Sequence, residues 1–348
     1  MWTIATDEAG YGPKLGPLVV CGTLWGPRGG ELTPCEDAAA NEAAASFLES
    51  IDTDFAAYRH AETADHPIDD SKRVIPAGHD PDRLRGVLET ITAVLATHPR
   101  PPKNWNQALA AWRISGDGNR PAATHRPVDL WPHWLASTAL SAGETAWPPP
   151  PPLLVQHWES APTLRQIGMD VVLPDRFNAS LASGRNKSDL LGETTLGVAR
   201  ILLSGLLPLL DDGPESQTVR IVCDRLGGRK FYLGLVNHFF PERAWSVREE
   251  SKRISAYRSS DPDLEIEISF VVKGDSMVPV AMSSLVAKSV REWWMSQMNH
   301  LFAEHFAQQN RPFQPTAGYP VDADRFLNQT RWLRNKLGID DDEFVRQR

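Results

Sequence analysis

The sequence predicts a mixed α/β layer fold, in which helices pack on a sheet. Two short, strongly apolar stretches near the amino terminus, Trp2–Thr6 and Leu18–Trp25, have the composition of strands and are separated only by a loop rich in glycine and proline. Later strand-like stretches alternate with long helical patterns. Strands followed by alternating helices and strands are typical of a mixed sheet with helices on its faces.

Two later segments complete the predicted sheet. Thr218–Cys223 is a short apolar run of the kind that forms a buried strand. In Leu264–Val272 the apolar residues alternate with Glu265, Glu267 and Ser269, which predicts a strand with one buried face.

The helices are predicted from apolar residues that recur at helical spacing. Pro208 is expected to end one of these helices, and Pro279 to lead into another. The predicted segments are Asp82–Ala96, Ser188–Leu207, Phe231–Phe240, Val280–Gln308 and most of Pro320–Arg348.

The stretch 98–161 differs in composition from the rest of the chain. It contains proline-rich runs such as Pro148–Pro152, and six of the twelve tryptophans. Proline-rich segments favour extended conformations, whereas many large apolar rings favour packing on a folded surface. We interpret the stretch as an insertion packed on the main domain. A tryptophan platform for nucleic-acid bases is the alternative.

Composition bounds the class of protein. The chain has 348 residues, 41% of them hydrophobic, which suits one large globular domain or two smaller ones. The net charge of −8 argues against a surface coated in basic charge for nucleic acids, although it allows a local basic groove. The three cysteines lack metal-binding spacing and fit a reducing compartment. Without a signal sequence or a run of about 18 apolar residues, we expect a cytoplasmic monomer with no membrane segment.

Acidic residues recur at the ends of the predicted strands. Asp7 and Glu8 follow the first strand, Asp224 follows Thr218–Cys223, and Asp275 comes shortly after the alternating strand. Functional sites of open α/β sheets gather at strand ends, and magnesium prefers oxygen ligands. Four clustered carboxylates repel one another, and two cations among them would make a centre for phosphoryl displacement. Any one of these acids alone is more simply a turn residue.

Five motifs, in a consistent order along the chain, resemble those of the type 2 ribonucleases H, the ribonuclease HII family. The first, TDEAGYGP at 6–13, is similar to the family's Asp-Glu-Ala-Gly-Arg-Gly-Pro. The segments 98–165 and 241–262 match none of the motifs. The other four motifs are DDSKRV at 69–74, IVCDRLGG at 221–228, VVKGDSMVPVAMSSLVAKSVRE at 271–292 and TAGYPVDADRFL at 316–327.

The resemblance implies a ribonuclease H-like fold with a helical C-terminal extension. It implies that Asp7, Glu8, Asp224 and Asp275 are catalytic and hold two divalent ions, Mg²⁺ or Mn²⁺. Such a centre hydrolyses the RNA strand of RNA/DNA hybrids, or ribonucleotides embedded in duplex DNA, and leaves 3′-hydroxyl and 5′-phosphate ends. These substrates imply a role in DNA replication and repair.

The same resemblance implies a division of the chain into parts. Residues 1–97 and 166–310 form the expected catalytic domain, 98–165 the insertion packed on it, and 311–348 a substrate-contacting extension. The polar stretch Val247–Arg258 is interpreted as a solvated excursion, with a hairpin over the site as the alternative.

The resemblance also assigns substrate contacts. Gly10, Tyr11 and Gly12 match the family's Gly-Arg-Gly loop, whose backbone groups sense the 2′-hydroxyl; a simple turn is the alternative. Tyr11 in place of arginine removes a cation that could contact phosphate. Tyr319 matches the tyrosine that stacks on the sugar at an RNA–DNA junction, and its alternative is a ring packed in a turn.

Several polar and basic residues are candidates for phosphate contact. Ser71 and Lys72 match the Asp-Ser-Lys motif, for which a solvated polar loop is the alternative. Lys288 and Arg291 lie three residues apart on one helix face, where they either neutralise the acids or form a structural salt bridge. Further candidates are Arg185, Lys187, Arg225, Arg229 and Lys230.

Three other functions stay open. Tyr11 and the insertion suggest a catalytically weak or inactive relative that only binds nucleic acid. A DNA junction or repair nuclease could use the same fold, because a fold does not determine a substrate. The insertion itself could serve as a non-enzymatic interaction surface.

Overall fold

The chain is built around a mixed sheet. A computed structural model describes residues 1–27, 51, 53–58, 68, 81–95, 101–112, 131–149, 162–210, 217–259 and 264–347. Within this part the strands are β1 (Trp2–Ala9), β2 (Leu18–Gly26), β3 (Thr163–Val172), β4 (Gln217–Asp224), β5 (Trp245–Glu250), β6 (Ile254–Ser259) and β7 (Leu264–Val271).

Helices connect and flank these strands. They are α1 (Pro81–Leu95), α2 (Trp105–Trp112), α3 (Ala136–Ala142), α4 (Pro174–Ala182), α5 (Lys187–Leu210), α6 (Leu233–Phe239), α7 (Val278–Gln308), α8 (Pro320–Leu337) and α9 (Asp341–Phe344), with short 3₁₀ turns at Ala56–Tyr58 and Gly274–Ser276.

The sheet order is β3-β2-β1-β4-β7-β6-β5. Strands β1, β4 and β7 are parallel neighbours at its centre. Strands β2 and β3 on one side, and β6 and β5 on the other, are antiparallel to their neighbours. The predicted mixed sheet with flanking helices and a helical C-terminal region is confirmed.

Alternate residues of the central strands face two separate helical layers. Ala5 and Cys21 belong to the apolar cluster that contains α7, whereas Ile4 and Val20 belong to the cluster that contains α5. Successive strand side chains point to opposite faces, so both faces of β1 and β2 are covered. The strands are therefore nearly continuous apolar runs.

Strand β1 is longer than the sequence predicts. Asp7, Glu8 and Ala9 stay in the strand because they pair with Cys21, Val20 and Val19 of β2. The parallel pairing with β4 ends earlier, at Thr6. The first two acids therefore lie within the end of a strand and not in the loop after it.

Helix α5 continues past Pro208, so the predicted end at Leu207 is wrong. A proline in the last turn removes only one backbone hydrogen bond, which a helix of this length tolerates. By length and composition α5 is long and apolar enough to cross a membrane. It packs on β1, β2 and β3 through a buried apolar face, and core helices of folded domains meet the same criterion.

The interpretation of Val247–Arg258 as a solvated excursion is wrong. This stretch forms most of the β5–β6 hairpin, which extends the sheet beyond β7. Strand β6 is buried because it lies between β5 and β7, whereas β5 forms the exposed edge. Because the edge strand β5 is charged and exposed, its sequence lacks the apolar alternation by which a strand is predicted.

Tryptophans of the proline- and tryptophan-rich stretch 98–161 pack on α7. The ring of Trp105 stacks on Trp293 with centroids 5.0 Å apart, and Trp131 meets both Trp293 and Trp294. Trp147 in turn lies edge-on to Trp105. The aromatic residues thus join the stretch to the main apolar cluster.

The C-terminal segment returns to the amino-terminal loop. The Arg346 N–H donates to the carbonyl oxygen of Lys14 at 2.9 Å, and Val345 forms a β-bridge with Leu15. From α4, Asn178 donates to the carbonyl oxygen of Val345 at 2.8 Å. These contacts hold the loop after β1 against residues near the end of the chain.

Candidate active site at the ends of the central strands

The central strands bring three of the predicted acids to one end of the sheet. Thr6 pairs with Cys223 and Asp224 pairs with Val271, so Asp7 lies level with Asp224, at the point where the parallel pairing of β1 and β4 ends. Asp275 lies just beyond β7, in the Gly274–Ser276 turn. Carboxyl ends of parallel strands are where open α/β sheets form their sites.

Asp7 is the buried member of the group, with 8% of its surface exposed. Its Oδ1 accepts the Glu8 N–H at 2.8 Å, and the hydroxyl of Ser284 on α7 donates to the same carboxylate. Burial, followed by the charges of Glu8 and Asp224, raises the pKa of Asp7 well above its ordinary value. The two hydrogen bonds only partly oppose this rise, so ionised Asp7 is costly in the folded chain.

Asp224 is held by the turn that carries Asp275. Its Oδ1 accepts the Gly274 N–H at 2.8 Å. A side chain at Gly274 would place its Cβ 3.2 Å from both the Cα and the Oδ1 of Asp224, so the close approach favours glycine. The turn therefore fixes the position of Asp275 relative to Asp224.

The four acids are not equally exposed. Glu8, Asp224 and Asp275 are half-buried, whereas Asp7 is buried. The charge of Glu8 acts on Asp7 and on Tyr11: it raises the pKa of Asp7 and, after partial burial, contributes to the raised pKa of Tyr11.

The donor chemistry of this group fits a divalent cation. Carboxylate oxygens are the ligands that magnesium and manganese prefer, and Asp7 is destabilised by neighbouring negative charges that a cation would offset. In the part of the chain described above, no three His, Cys, Asp or Glu side chains converge as a ready-made metal site. The backbone brings the carboxylates to one end of the sheet, and their side chains would have to turn toward one another to hold an ion.

The loop after β1, which contains Gly10, Tyr11 and Gly12 and is called the glycine loop below, lies directly beside the acids. Gly10 has φ 89°, and a Cβ there would lie 2.5 Å from the Pro17 carbonyl oxygen and 2.7 Å from Arg291 Nε. A Cβ at Gly12 would meet nothing within 4 Å. Gly10 is therefore required by the backbone itself, whereas Gly12 leaves open space beside the chain. Tyr11 between them is half-buried against the cluster that contains α5.

Tyr319 lies next to this loop. The N–H groups of Lys14 and Leu15 both donate to the carbonyl oxygen of Gly318, at 2.7 and 3.1 Å. The ring of Tyr319 is 52% exposed at the start of α8. The structure thus joins two predicted substrate-contacting elements that are more than 300 positions apart.

Arg291, on α7, is hydrogen-bonded to both the loop after β1 and the loop before α8. Its Nη2 donates to the carbonyl oxygens of Ala317, at 3.0 Å, and Leu15, at 3.4 Å, and its Nη1 lies 3.4 Å from Glu292. The side chain is buried, and burial lowers its pKa. Arg291 is therefore a structural residue of the site. Lys288, one turn earlier on α7, is half-buried.

Other basic candidates are engaged with the protein. Arg229 pairs with Asp189 at 2.6 Å, and Arg185 pairs with Glu193 at 2.7 Å. The ammonium group of Lys187 lies 5.6 Å from the centre of the Phe177 ring. Ser71 and Lys72 lie outside the described residues.

Two contributors are not among the predicted site residues. Ser284 lies within the 271–292 motif on a buried helix, and its hydroxyl reaches Asp7. Arg346 donates a side-chain hydrogen bond to the carbonyl oxygen of Pro13, from the far end of the chain. Such long-range contacts depend on the tertiary fold and do not show in local patterns.

Comparison with solved structures gives a consistent likeness. The chain is similar to ribonuclease H2 from Pyrococcus horikoshii OT3, with 11% identity and a TM-score of 0.40 over 99% of this chain and 92% of that one. It is also similar to the ribonuclease HII of Archaeoglobus fulgidus, from a complex with PCNA, with 13% identity and a TM-score of 0.36 over 100% and 95% of the two chains.

A third likeness is to a mutant form of Bst-RNase HIII, with 12% identity and a TM-score of 0.39. The match covers 99% of this chain but 65% of that protein. No protein-family model matches the sequence, and no curated protein matches it. The chain resembles the type 2 ribonucleases H.

Proposed function

We propose that this protein is a metal-dependent endoribonuclease that hydrolyses the RNA strand of RNA/DNA hybrids, or ribonucleotides embedded in duplex DNA. One observation carries the proposal. Asp7, Glu8 and Asp224 interact electrostatically at the ends of neighbouring parallel strands, and the turn that contains Asp275 is hydrogen-bonded to Asp224. Carboxylates gathered at one end of a sheet in this way are suited to phosphodiester hydrolysis with divalent ions.

The four acids would hold the metal ions. Asp7 is central in the proposal because it is buried and because the charges of Glu8 and Asp224 both raise its pKa. When bound, two divalent ions supply a Lewis acid for the phosphodiester and a nucleophilic water at neutral pH. The chain's own part is to orient the carboxylates, through the Ser284 hydroxyl on Asp7 and the Gly274 N–H on Asp224.

The adjoining loops support a substrate that contains ribose. Gly10 and Gly12 leave backbone close to the acids, where N–H and carbonyl groups can meet a 2′-hydroxyl. The half-exposed ring of Tyr319 is held beside them by the bonds from Lys14 and Leu15 to Gly318. A ring in that place can pack on a sugar, which supports cleavage next to a ribonucleotide.

Binding without cleavage is the second candidate. It is favoured by Tyr11, which stands where the family has arginine, and by the lack of three convergent ligands among the described side chains. In this function the acids would serve only to stabilise the loops around them. A binding assay alone would not separate the two functions.

A cleavage assay separates them. End-labelled DNA duplex with one embedded ribonucleotide, an all-RNA/DNA hybrid and an all-DNA duplex are incubated with the full-length protein in Mg²⁺, Mn²⁺ or EDTA. We expect metal-dependent cutting of the two ribose-containing duplexes, with 3′-hydroxyl and 5′-phosphate ends. Cutting of the all-DNA duplex would favour a DNA nuclease, and binding with no cutting in either metal would overturn the ribonuclease proposal.

A further inference from the structure

A basic and aromatic surface lies beside the acids and has no part in the chemistry proposed above. Three segments form it: the loop after β4, the turn between β5 and β6, and the residues that follow β7. We call this surface the basic–aromatic patch. Its exposed side chains are Lys230, Phe231, Lys252, Arg253, Val272 and Lys273.

Backbone contacts place the three segments next to one another. The Val272 N–H donates to the carbonyl oxygen of Arg253 at 2.9 Å, which joins the hairpin turn to the end of β7. The hydroxyl of Ser255 donates to the carbonyl oxygen of Lys230 at 2.7 Å, which joins the hairpin to the loop after β4. The patch is therefore one continuous surface.

Arg225 fixes the hairpin turn to the acidic site. Its guanidinium donates to the carbonyl oxygens of Lys252 and Ser251, at 2.8 and 3.0 Å, and to the Ser255 hydroxyl at 3.1 Å. Because Arg225 follows Asp224 directly, the turn is held at a set distance from that carboxylate. The cations of the patch are thus placed by the same strand that places the acid.

The loop that carries Phe231 is held from inside the protein. Tyr232 stacks on Phe270 with centroids 3.7 Å apart, and its hydroxyl accepts the Leu226 N–H and donates to the carbonyl oxygen of Arg229. Its backbone N–H donates to the hydroxyl of Tyr257 at 2.8 Å. Tyr232 is fixed in the core, and the preceding ring, that of Phe231, is exposed.

Phe231 is unusually exposed for a large apolar side chain, at 69%. A well-held loop that presents such a ring forgoes the stabilisation that burial would give and leaves the ring available to a ligand. Val272, 41% exposed, adds apolar surface in the same patch. Rings presented among cations hold single strands by stacking on bases; on a duplex, whose bases are already stacked, such a ring can pack on a sugar of the backbone.

The charge of the patch is opposite to that of the whole chain. Lys230, Lys252, Arg253 and Lys273 are basic, while the protein carries a net charge of −8. Glu250 is the acid at the start of the turn, and it accepts a hydrogen bond from the Tyr257 hydroxyl at 2.5 Å. A local cluster of cations on an acidic protein favours a polyanion as the ligand.

We propose that the basic–aromatic patch binds the phosphodiester backbone of a nucleic-acid duplex where the duplex leaves the acidic site, with the ring of Phe231 packed against a nucleotide. The inference rests on the proposed function, because it identifies a second contact for the same substrate. The patch would bind the duplex independently of the metal ligands and of Tyr319.

The test measures binding of a short fluorescent RNA/DNA hybrid across a range of salt concentrations. The full-length Asp7→Asn protein is used, so that the hybrid is not cut. We expect Lys252→Gln/Arg253→Gln to reduce the slope of log binding constant against log salt by about 2, roughly one for each phosphate contact removed. The matched control, Arg85→Gln/Lys103→Gln, makes the same charge change at exposed positions on other elements and should leave the slope unchanged.

Phe231 is tested separately. We expect Phe231→Ala to weaken binding roughly tenfold with the salt slope unchanged, and Phe231→Tyr to bind like the parent protein, because packing on a sugar needs the ring and not a charge. Thermal melts confirm that each variant is folded.

The outcomes separate this proposal from the proposed function. If the double variant keeps the parent's slope and Phe231→Ala keeps its affinity, the patch does not bind nucleic acid, and cleavage by the unmodified protein can still be observed. If the patch variants weaken binding but the unmodified protein cuts nothing, the patch stands and the nuclease proposal fails. If the parent protein binds no hybrid at all, the patch proposal is overturned.

Discussion

The backbone N–H of Lys14 donates a hydrogen bond to the carbonyl oxygen of Gly318 at 2.7 Å. This one contact joins the glycine loop at the start of the chain to the loop that carries Tyr319. Arg291 lies beneath both loops and donates to carbonyl oxygens on each side of the junction. The part of the site that would read the substrate is therefore a composite of both ends of the sequence, and the predictions below test its components.

Gly10→Ala should be strongly destabilising, because its φ of 89° and the contact with the Pro17 carbonyl both exclude a side chain. We expect a loss of about 2 kcal/mol or more in the free energy of unfolding. Gly12→Ala is the matched control, since a Cβ there meets nothing within 4 Å, and its effect should stay within about 0.5 kcal/mol. Urea unfolding of the two variants measures the difference, and equal effects would show that the loop is not held as described.

Arg291→Lys should weaken the junction between the two loops while keeping a positive charge. The lysine ammonium would lie near the position of the guanidinium carbon, short of the Nη2 that donates to both Ala317 and Leu15, and each lost hydrogen bond to a buried charged group costs about 1.5 to 3 kcal/mol. We expect a lower melting temperature and, in the cleavage assay, a higher KM. A variant that melts and cleaves like the native protein would mean that Arg291 does not position the loops.

Tyr319→Ala should impair substrate use without affecting stability. The ring is 52% exposed, so little core packing is lost, whereas a sugar contact worth about 1 kcal/mol or more would disappear. The expected result is a fall of roughly tenfold in kcat/KM with an unchanged melting temperature. Val321→Ala, at an 89% exposed position nearby, is the control and should have no effect.

Asp322 should stabilise the Tyr319 loop in a pH-dependent way. Burial alone would raise its pKa, but hydrogen bonds from Thr316, Arg325 and the Ala317 N–H outweigh it and hold the pKa below its ordinary value. A carboxylate with a lowered folded-state pKa contributes stability above its unfolded pKa, and that contribution disappears as the pH falls through the folded pKa.

Asp322→Asn should therefore lower the free energy of unfolding by about 1 kcal/mol at pH 7 and by much less near pH 3. Denaturant unfolding at the two pH values measures this. A penalty that is equal at both would contradict the assignment of the ionised carboxylate as the loop's hydrogen-bond acceptor.

Asp7 should behave in the opposite sense. Because burial and neighbouring acids raise its folded-state pKa, its ionised form destabilises the fold above the unfolded pKa, and the cost disappears as the pH falls below that value. Without added metal, Asp7→Asn should therefore stabilise the protein at pH 7 by on the order of 1 kcal/mol. A loss of stability at pH 7 would mean that Asp7 serves the fold and not a cation.

Much of the fold is predictable from the sequence because its central strands are apolar on both faces. Helix α1 and strand β7 also match their predicted spans closely, since the apolar period is strong in each. The β5–β6 hairpin is not predictable in the same way. Val247, Arg248 and Glu249 lie on an exposed edge strand, where the sheet gives the sequence no burial pattern to follow.

The site is predictable as a set of acids but not as a geometry. Asp7, Asp224 and Asp275 show in the sequence because each follows or ends an apolar strand. The hydroxyl of Ser284 and the guanidinium of Arg346 reach the site only through the packing of α7 and of the C-terminal segment. Local sequence patterns carry no record of such contacts.

The cleavage rate of duplex DNA with a single embedded ribonucleotide tests the central claim most directly. It should be measured in Mg²⁺ for the native protein, for Asp7→Asn, and for the control Asp175→Asn, which changes an exposed acid on α4 by the same chemistry. We predict cutting at the ribonucleotide by the native protein and the control, and a loss of about 100-fold or more in Asp7→Asn. Equal cutting by Asp7→Asn and the native protein would contradict the account, because the activity would then not depend on the buried carboxylate at the end of β1.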